Sequence, residues 1–363
     1  MWWLPLLALP VTGGVADDAD PAVVAIVRAD TGAAFCTATV ISERVVLTAA
    51  HCGVQNDPSA VRVRFGAQAP GVTIEILDAV SHPSFDNTES HDLALVLLAE
   101  PAPSAAVALL SAAPPAMVRI VGFGDTAGGA MDAGRKREGT AMVTSTTPLS
   151  IVLGPSPALP CNGDSGGPVF APAGELAAVI SRGDPACATY GKATRVDVHV
   201  TDFIAPYLAA TAPGSAQLGD ACRYDAQCTT GSCIEAADEP LIHYCSKSCT
   251  RDSDCDDAMI CERDACRYRE PTPGAIGSTC TRDRECARGE CIDSGTCSIR
   301  CVSGRDDCPA DYACEHLGGI EFFCTPEPSG GCCDSGAGGG RGALVLAAAL
   351  YLTTGRRRSS RCT

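Results

Sequence analysis

Aromatic side chains are scarce in this chain of 363 residues, at 5% of the total with only two tryptophans. A core therefore has to be assembled mainly from Ala, Val, Leu and Ile, within a hydrophobic content of 46%. Positive charge is also in short supply. Lys and Arg number 27 against 43 Asp and Glu, for a net charge of −16, and no long basic run precedes Arg356-Arg357-Arg358. That argues against nucleic acid as a partner and for a soluble, acidic, exported protein. Long apolar runs are missing too: the stretch 343–352 near the C-terminus falls short of the ~20 residues of a membrane-spanning helix. Repeated CxxC pairs are absent, which disfavours a zinc-cluster reading of the cysteines.

Cysteine itself is plentiful. There are 23, four before residue 210, sixteen from Cys222 to Cys324 and three in the tail. Such density implies an oxidising compartment and disulfides. The length allows two or three domains.

The stretch most suited to chemistry is Cys161-Asn162-Gly163-Asp164-Ser165-Gly166-Gly167-Pro168. A serine hydroxyl is a poor nucleophile at neutral pH and needs both a neighbouring base and a place for negative charge to develop. Glycines around Ser165 permit a tight turn that presents Oγ, and leave the N–H groups of Gly163 and Ser165 free to meet a carbonyl oxygen. Taken alone, the stretch reads equally well as a glycine-rich surface loop. Upstream, however, lie Thr48-Ala49-Ala50-His51-Cys52 and Asp92-Leu93-Ala94-Leu95, and His, Asp, Ser is one chain order in which a triad is built.

With these residues quoted, the chain resembles the chymotrypsin/trypsin-like serine protease family over roughly residues 11–210. The likeness rests on TAAHC around His51, DLAL from Asp92, GFG at 122–124, GDSGGP around Ser165 and Ser181-Arg182-Gly183. It implies that Ser165 attacks, His51 moves the proton, Asp92 orients the imidazole, and the Gly163 and Ser165 amides bind the oxyanion. It also implies disulfides Cys36–Cys52 and Cys161–Cys187. Val11-Thr12-Gly13-Gly14 resembles the family's activation sequence, in which a freed Val11 ammonium pairs with Asp164. The pocket positions that correspond are Leu159 at the floor, with Ser181, Gly183 and Gly191 around it. An uncharged floor favours an apolar residue of medium size at the cleaved bond. Arg182, Pro160 and Asp184 depart from the usual pattern, and Asp184 leaves a rim preference for basic residues open. His91 reads as an exposed loop residue, His82 and His199 have no chemical context, and the loop 125–139 reads as mobile and open to self-cleavage.

Short β-branched or apolar runs at 23–27, 37–41, 44–48, 61–65, 72–79, 93–98, 117–121, 140–144, 169–170 and 176–181, separated by turn residues, predict an all-β domain. The resemblance makes this two antiparallel six-stranded β-barrels, and helical spacing over 198–208 predicts a closing helix. Beyond a linker at 211–218, two repeats of eight cysteines span 219–269 and 278–326, joined by 270–277. They resemble EGF-like or Dickkopf-like extracellular modules; eight cysteines allow 105 pairings each, so none is assigned. Modules this small need such staples. They are expected to act as a rigid stalk or to bind a surface protein or glycan. The acidic run Asp252, Asp254, Asp256, Asp257 reads as a solvated loop rather than a calcium site, and no metal or cofactor is expected.

Residues 1–10 resemble the end of a signal peptide's apolar region without its basic start, so that either the true start lies upstream or the peptide is atypical. Residues 327–363 resemble C-terminal sorting tails of Gram-negative bacteria, notably myxobacterial ones. That implies a membrane hold during export, cleavage near Cys332-Cys333 and delivery to the outer surface, the alternative being a permanent weak anchor. The sum is a secreted or surface-anchored serine endopeptidase acting on proteins or peptides. The rival is an inactive protease-like protein that binds through its repeats.

Overall fold

The computed structural model describes residues 11–12, 14–86, 91–282, 285–287, 290–301, 308–316 and 322–326. The signal-like segment 1–10, Gly13 and the sorting-tail region 327–363 lie outside them. The chain divides into two compact units, with the boundary between Ser298 and Ile299.

In the first unit, fourteen strands precede the cysteine-rich region: β1 Val15–Ala16, β2 Val23–Arg28, β3 Ala34–Val40, β4 Val45–Thr48, β5 Val61–Phe65, β6 Val72–Ile74, β7 Ile76–Ser81, β8 Ala94–Leu98, β9 Met117–Gly122, β10 Arg137–Thr146, β11 Ser150–Pro157, β12 Pro168–Phe170, β13 Leu176–Gly183 and β14 Gly191–Arg195. β6-β5-β2-β3-β4-β8-β7 form one antiparallel sheet curled into a half-barrel. In the other sheet β10 pairs with both β9 and β11, which closes β10-β11-β14-β13-β12-β9 into a six-stranded barrel with β1 on its edge. A helical segment runs from Val200 through α1, Ala205–Ala210.

Alternation along each strand explains how so few aromatics suffice. Successive strand residues face opposite ways, and β2 is buried on both faces. Val24 and Ile26 point into the half-barrel beside Cys36, Ala38, Val40, Val63 and Leu98. Val23, Ala25 and Val27 face a seam shared with Leu47, Leu95 and Leu97, where the second barrel contributes Val121, Phe123, Phe170 and Val179. Phe123 and Phe170, among the largest fully buried side chains, both sit in this seam. The closed barrel is filled by Val118, Ile120, Ile151, Leu153, Val169, Ala178, Ile180 and Ala193.

The loop expected to be mobile is fixed at its basic end. Lys136 and Arg137 are buried: Lys136 donates its Nζ to the Asp20 carbonyl and lies 3.6 Å from Asp17, and Arg137 reaches the Gly124 carbonyl at 3.3 Å. Ion pairing and strand β10 hold what composition alone made look like an exposed protease-sensitive run.

The described cysteines beyond residue 218 resolve into quartets rather than octets. In the first unit Cys222–Cys233 interlocks with Cys228–Cys245, Cys249–Cys261 with Cys255–Cys266, and Cys280–Cys291 with Cys286–Cys297. Each quartet joins first to third and second to fourth cysteine around one two-stranded hairpin. The second unit holds a quartet of the same pattern, Cys301–Cys314 with Cys308–Cys324, around the hairpin Tyr312–His316 and Phe322–Pro326. Asp252 accepts from the Cys261 amide and Asp254 from the Thr250 amide, so both serve turns within their module.

Residues 211–218 are not a free linker. Tyr224 enters the seam cluster, donates its hydroxyl to the Thr211 carbonyl at 2.6 Å and lies under the Arg44 guanidinium at 4.4 Å. Gln227 Nε2 donates to the Ala210 carbonyl at 2.8 Å. Among the described residues, no helix is long and apolar enough to cross a membrane.

Candidate active site

His51 sits on a 3-10 turn, Ala50–Cys52, that leaves β4 and is ended by Gly53 in the left-handed region. The Cys36–Cys52 bond ties this turn to β3 and closes a separation of 16 residues, a constraint on the unfolded chain of about 3 kcal/mol. Asp92 stands just before β8 and is fully buried. Its Oδ2 lies 2.6 Å from His51 Nδ1 and accepts from Ser181 Oγ at 2.6 Å, while Oδ1 accepts from the His51 amide at 2.9 Å. Burial pushes the Asp92 carboxyl up, but the bonds from His51 and Ser181 outweigh it and hold the group below its ordinary range. An ionised Asp92 keeps the imidazole proton on Nδ1, so Nε2 is left as an acceptor.

Ser165 lies on a turn held by bonds from Asp164 N–H to the Cys161 carbonyl and from Gly167 N–H to the Asp164 carbonyl. Gly166 has φ +82, and a Cβ there would meet Thr48 Oγ1 at 2.1 Å and the Thr37 carbonyl at 2.2 Å; only glycine fits. Ser165 Oγ donates to the Ser181 carbonyl at 3.3 Å, and Ser165 and His51 line one cleft of about 220 Å³. Thr37 pins the turn from the half-barrel, giving its hydroxyl to the Gly163 carbonyl and receiving the Phe123 amide. Nothing in the sequence around Thr37 signals that role.

Asp164 is buried, and its carboxylate accepts from the Gly124 and Cys161 amides at 2.7 and 2.8 Å. Burial pushes its pKa up to about 7. A Cβ on Gly122 or Gly124 would fall 2.1 or 2.5 Å from that carboxyl, which explains the two glycines of the GFG run. Val11 is buried in the closed-barrel core with its nitrogen in a peptide bond, so the expected ammonium partner of Asp164 does not exist in the chain carrying residues 1–10.

Cys161–Cys187 is bonded and flanks the cleft, which is lined by Pro160, Asn162, Ile180, Arg182, Gly183 and Asp184 among others. Of the residues assigned to the pocket, Leu159 is turned away from this cleft, while Gly191 pairs with Gly183 at its wall. Leu159 is 1% exposed and packs in the barrel core, turned inward by its antiparallel bridge with Thr12. Gly191 stands behind Pro160, whose ring a Cβ would strike at 2.5 Å. Ser181 and Gly183 do line the cleft, Ser181 spending its hydroxyl on Asp92. Asp184 has its oxygens occupied by Thr189 Oγ1 and the amides of Ala186, Ala188, Thr189 and Tyr190, which hold its carboxyl well below the usual range.

His91 is not a freely exposed loop residue. It is half-buried and stacks on His82, and His199 packs edge-on against both rings.

A trypsin from Saccharopolyspora erythraea is 31% identical over 195 residues, covering 47% of this chain and 85% of that protein. Trypsin alpha-4 of Lucilia cuprina is 28% identical over 204 residues, covering 50% and 80%. A solved structure of neuropsin, a serine protease expressed in the limbic system of mouse brain, matches with a TM-score of 0.47 and 24% identity, covering 53% of this chain and 96% of that one. The Trypsin family model matches residues 12–204, more than half of the sequence and the whole span that carries His51, Asp92 and Ser165, and the chain belongs to the trypsin-like serine protease family.

Proposed function

We propose that the chain is an exported serine endopeptidase that cleaves proteins or peptides through an acyl-enzyme. The observation that carries this is a buried, ionised Asp92 shared between His51 Nδ1 and Ser181 Oγ beside a cleft containing Ser165. In this reading His51 Nε2 takes the Ser165 proton as Oγ bonds to the substrate carbonyl carbon. The oxyanion is received by the Gly163 and Ser165 amides, and the proton passes to the leaving amine as the C–N bond breaks. Water then repeats the sequence to release the acid. A fluorophosphonate probe should label the chain cleaved before Val11 and leave the same cleaved form of Ser165→Ala unlabelled; equal labelling of both, or of neither, refutes the assignment.

Specificity for an apolar side chain is supported by the Pro160 and Ile180 lining and by an Asp184 whose oxygens are taken. Faster cleavage of peptides ending in Arg than in Leu or Phe would contradict it. Release of a Val11 amine to pair with Asp164 is the activation step we infer, since Asp164 is buried and, among the described residues, no cation is in hydrogen-bond contact with it. The domain limits follow the same reading: protease at 11–210, cysteine-rich regions at 219–269 and 278–326, and an export or anchoring tail at 327–363. Secretion or surface display accords with the disulfide density, and the modules would serve as a stalk or as contacts for a surface protein or glycan.

A further inference from the structure

Three histidines from distant parts of the chain converge behind the catalytic acid. His82 follows β7, His91 directly precedes Asp92, and His199 opens the terminal helical segment. His82 and His199 are 5% and 1% exposed. The His82 and His91 rings stack at 4.6 Å, and His199 meets them edge-on at 4.8 and 5.0 Å. One nitrogen from each ring can be chosen so that all three lie within 4.8 Å of one another. Nδ1 of His91 and both nitrogens of His199 are buried without a hydrogen-bond partner. Asp202 lies at the rim, mostly exposed, with its carboxylate oxygens 3.9 Å from His82 Nε2 and from His199 Nδ1.

Buried imidazole nitrogens without partners are costly, and three gathered in one place want an explanation. Burial and the neighbouring rings push His199 down to about 4 and lower His82. These rings are therefore neutral near pH 7, and neutral imidazole is the form that ligates metal. Nitrogen donors with one carboxylate suit a borderline ion of the zinc, copper or nickel kind rather than calcium or magnesium. The described cysteines supply no competing thiolate site, being paired as disulfides.

We propose that His82, His91 and His199, with Asp202 at the rim, bind one divalent transition-metal ion of the Zn²⁺ type. Zinc–nitrogen bonds of ~2.0–2.1 Å in a tetrahedron place donors about 3.3 Å apart, so the rings draw inward on binding. His82 gives up one contact to do so, because its Nδ1 accepts from the Ser84 amide at 3.1 Å and fixes the proton on Nε2. Phe203, packed edge-on against His82 at 4.9 Å, walls the inner side, and exposed Asp202 marks the way in.

The test is calorimetric titration of the full chain with zinc chloride after free thiols have been capped with iodoacetamide. One equivalent should bind, His91→Asn should weaken it at least tenfold, and His243→Asn, in the cysteine-rich region, should leave it unchanged. Cobalt(II) should give the visible bands of a tetrahedral nitrogen–oxygen site in the native chain and lose them in His91→Asn. Because His199 is buried, His199→Gln is read only if its melting curve is cooperative, and His91→Asn decides otherwise. Absence of binding, or binding that His91→Asn leaves intact, overturns the proposal.

Discussion

At the residue scale, the site turns on two buried carboxylates with opposite fates. Asp92 is held ionised by donors, and Ser181 is one of them. Removing that hydroxyl in Ser181→Ala strips a bond to a charged group, about 1.5–3 kcal/mol; the melting temperature should fall, and so should kcat/KM. Asp164 goes the other way. Its folded pKa, about 7, lies above the unfolded 3.8, so the native state holds the extra proton between those values. Its contribution is full below about pH 4 and is lost as pH rises towards 7. Melting temperatures of the uncleaved Ser165→Ala chain should therefore carry a falling component from pH 4 to 7 that Asp164→Asn removes. Cleavage that frees a Val11 ammonium should remove it as well, and an unchanged slope after such cleavage would count against the activation step. His51, Asp92 and Ser165 were readable because local motifs surround each. The histidine cluster was not, because His82, His91 and His199 become neighbours only through tertiary packing.

At the element scale, the turn that carries Ser165 leaves little room for change. A methyl at Gly166 collides with the buried Thr48 hydroxyl and the Thr37 carbonyl, so Gly166→Ala should lower the melting temperature and abolish fluorophosphonate labelling while circular dichroism stays β-rich. Strands with apolar or β-branched runs, such as β2, β4 and β8, were evident in the sequence. β11 and β14 were not. In β11 the short apolar run Ile151-Val152-Leu153 is cut off by Gly154, Pro155 and Pro157, and β14 reads Gly-Lys-Ala-Thr-Arg, with no hydrophobic pattern. They become strands by pairing Ser150 with Thr194 and Leu153 with Gly191, which is what completes the closed barrel. The inward turn of Leu159 was hidden for the same reason, since it depends on a bridge to Thr12 some 147 residues away.

Across the whole molecule, the first cysteine-rich quartet is anchored to the protease domain through Tyr224. Deleting that ring in Tyr224→Ala removes a buried aromatic, a loss of about 3–5 kcal/mol when a core cannot close over the gap. Limited proteolysis should then cut within residues 211–218, a segment that stays resistant in the native chain. Composition suggested a free linker there because its residues are small. The anchoring residue lies beyond it, in a region read only for its cysteines.

The quartets carry a further consequence. No described sulfur–sulfur bond passes from one quartet to the next. Each is a closed link, like a bead knotted on its own length of thread. A nick or a reduced bond in one bead leaves the covalent pattern of its neighbours whole, and the string can be lengthened or shortened by entire beads without any cysteine having to change partner.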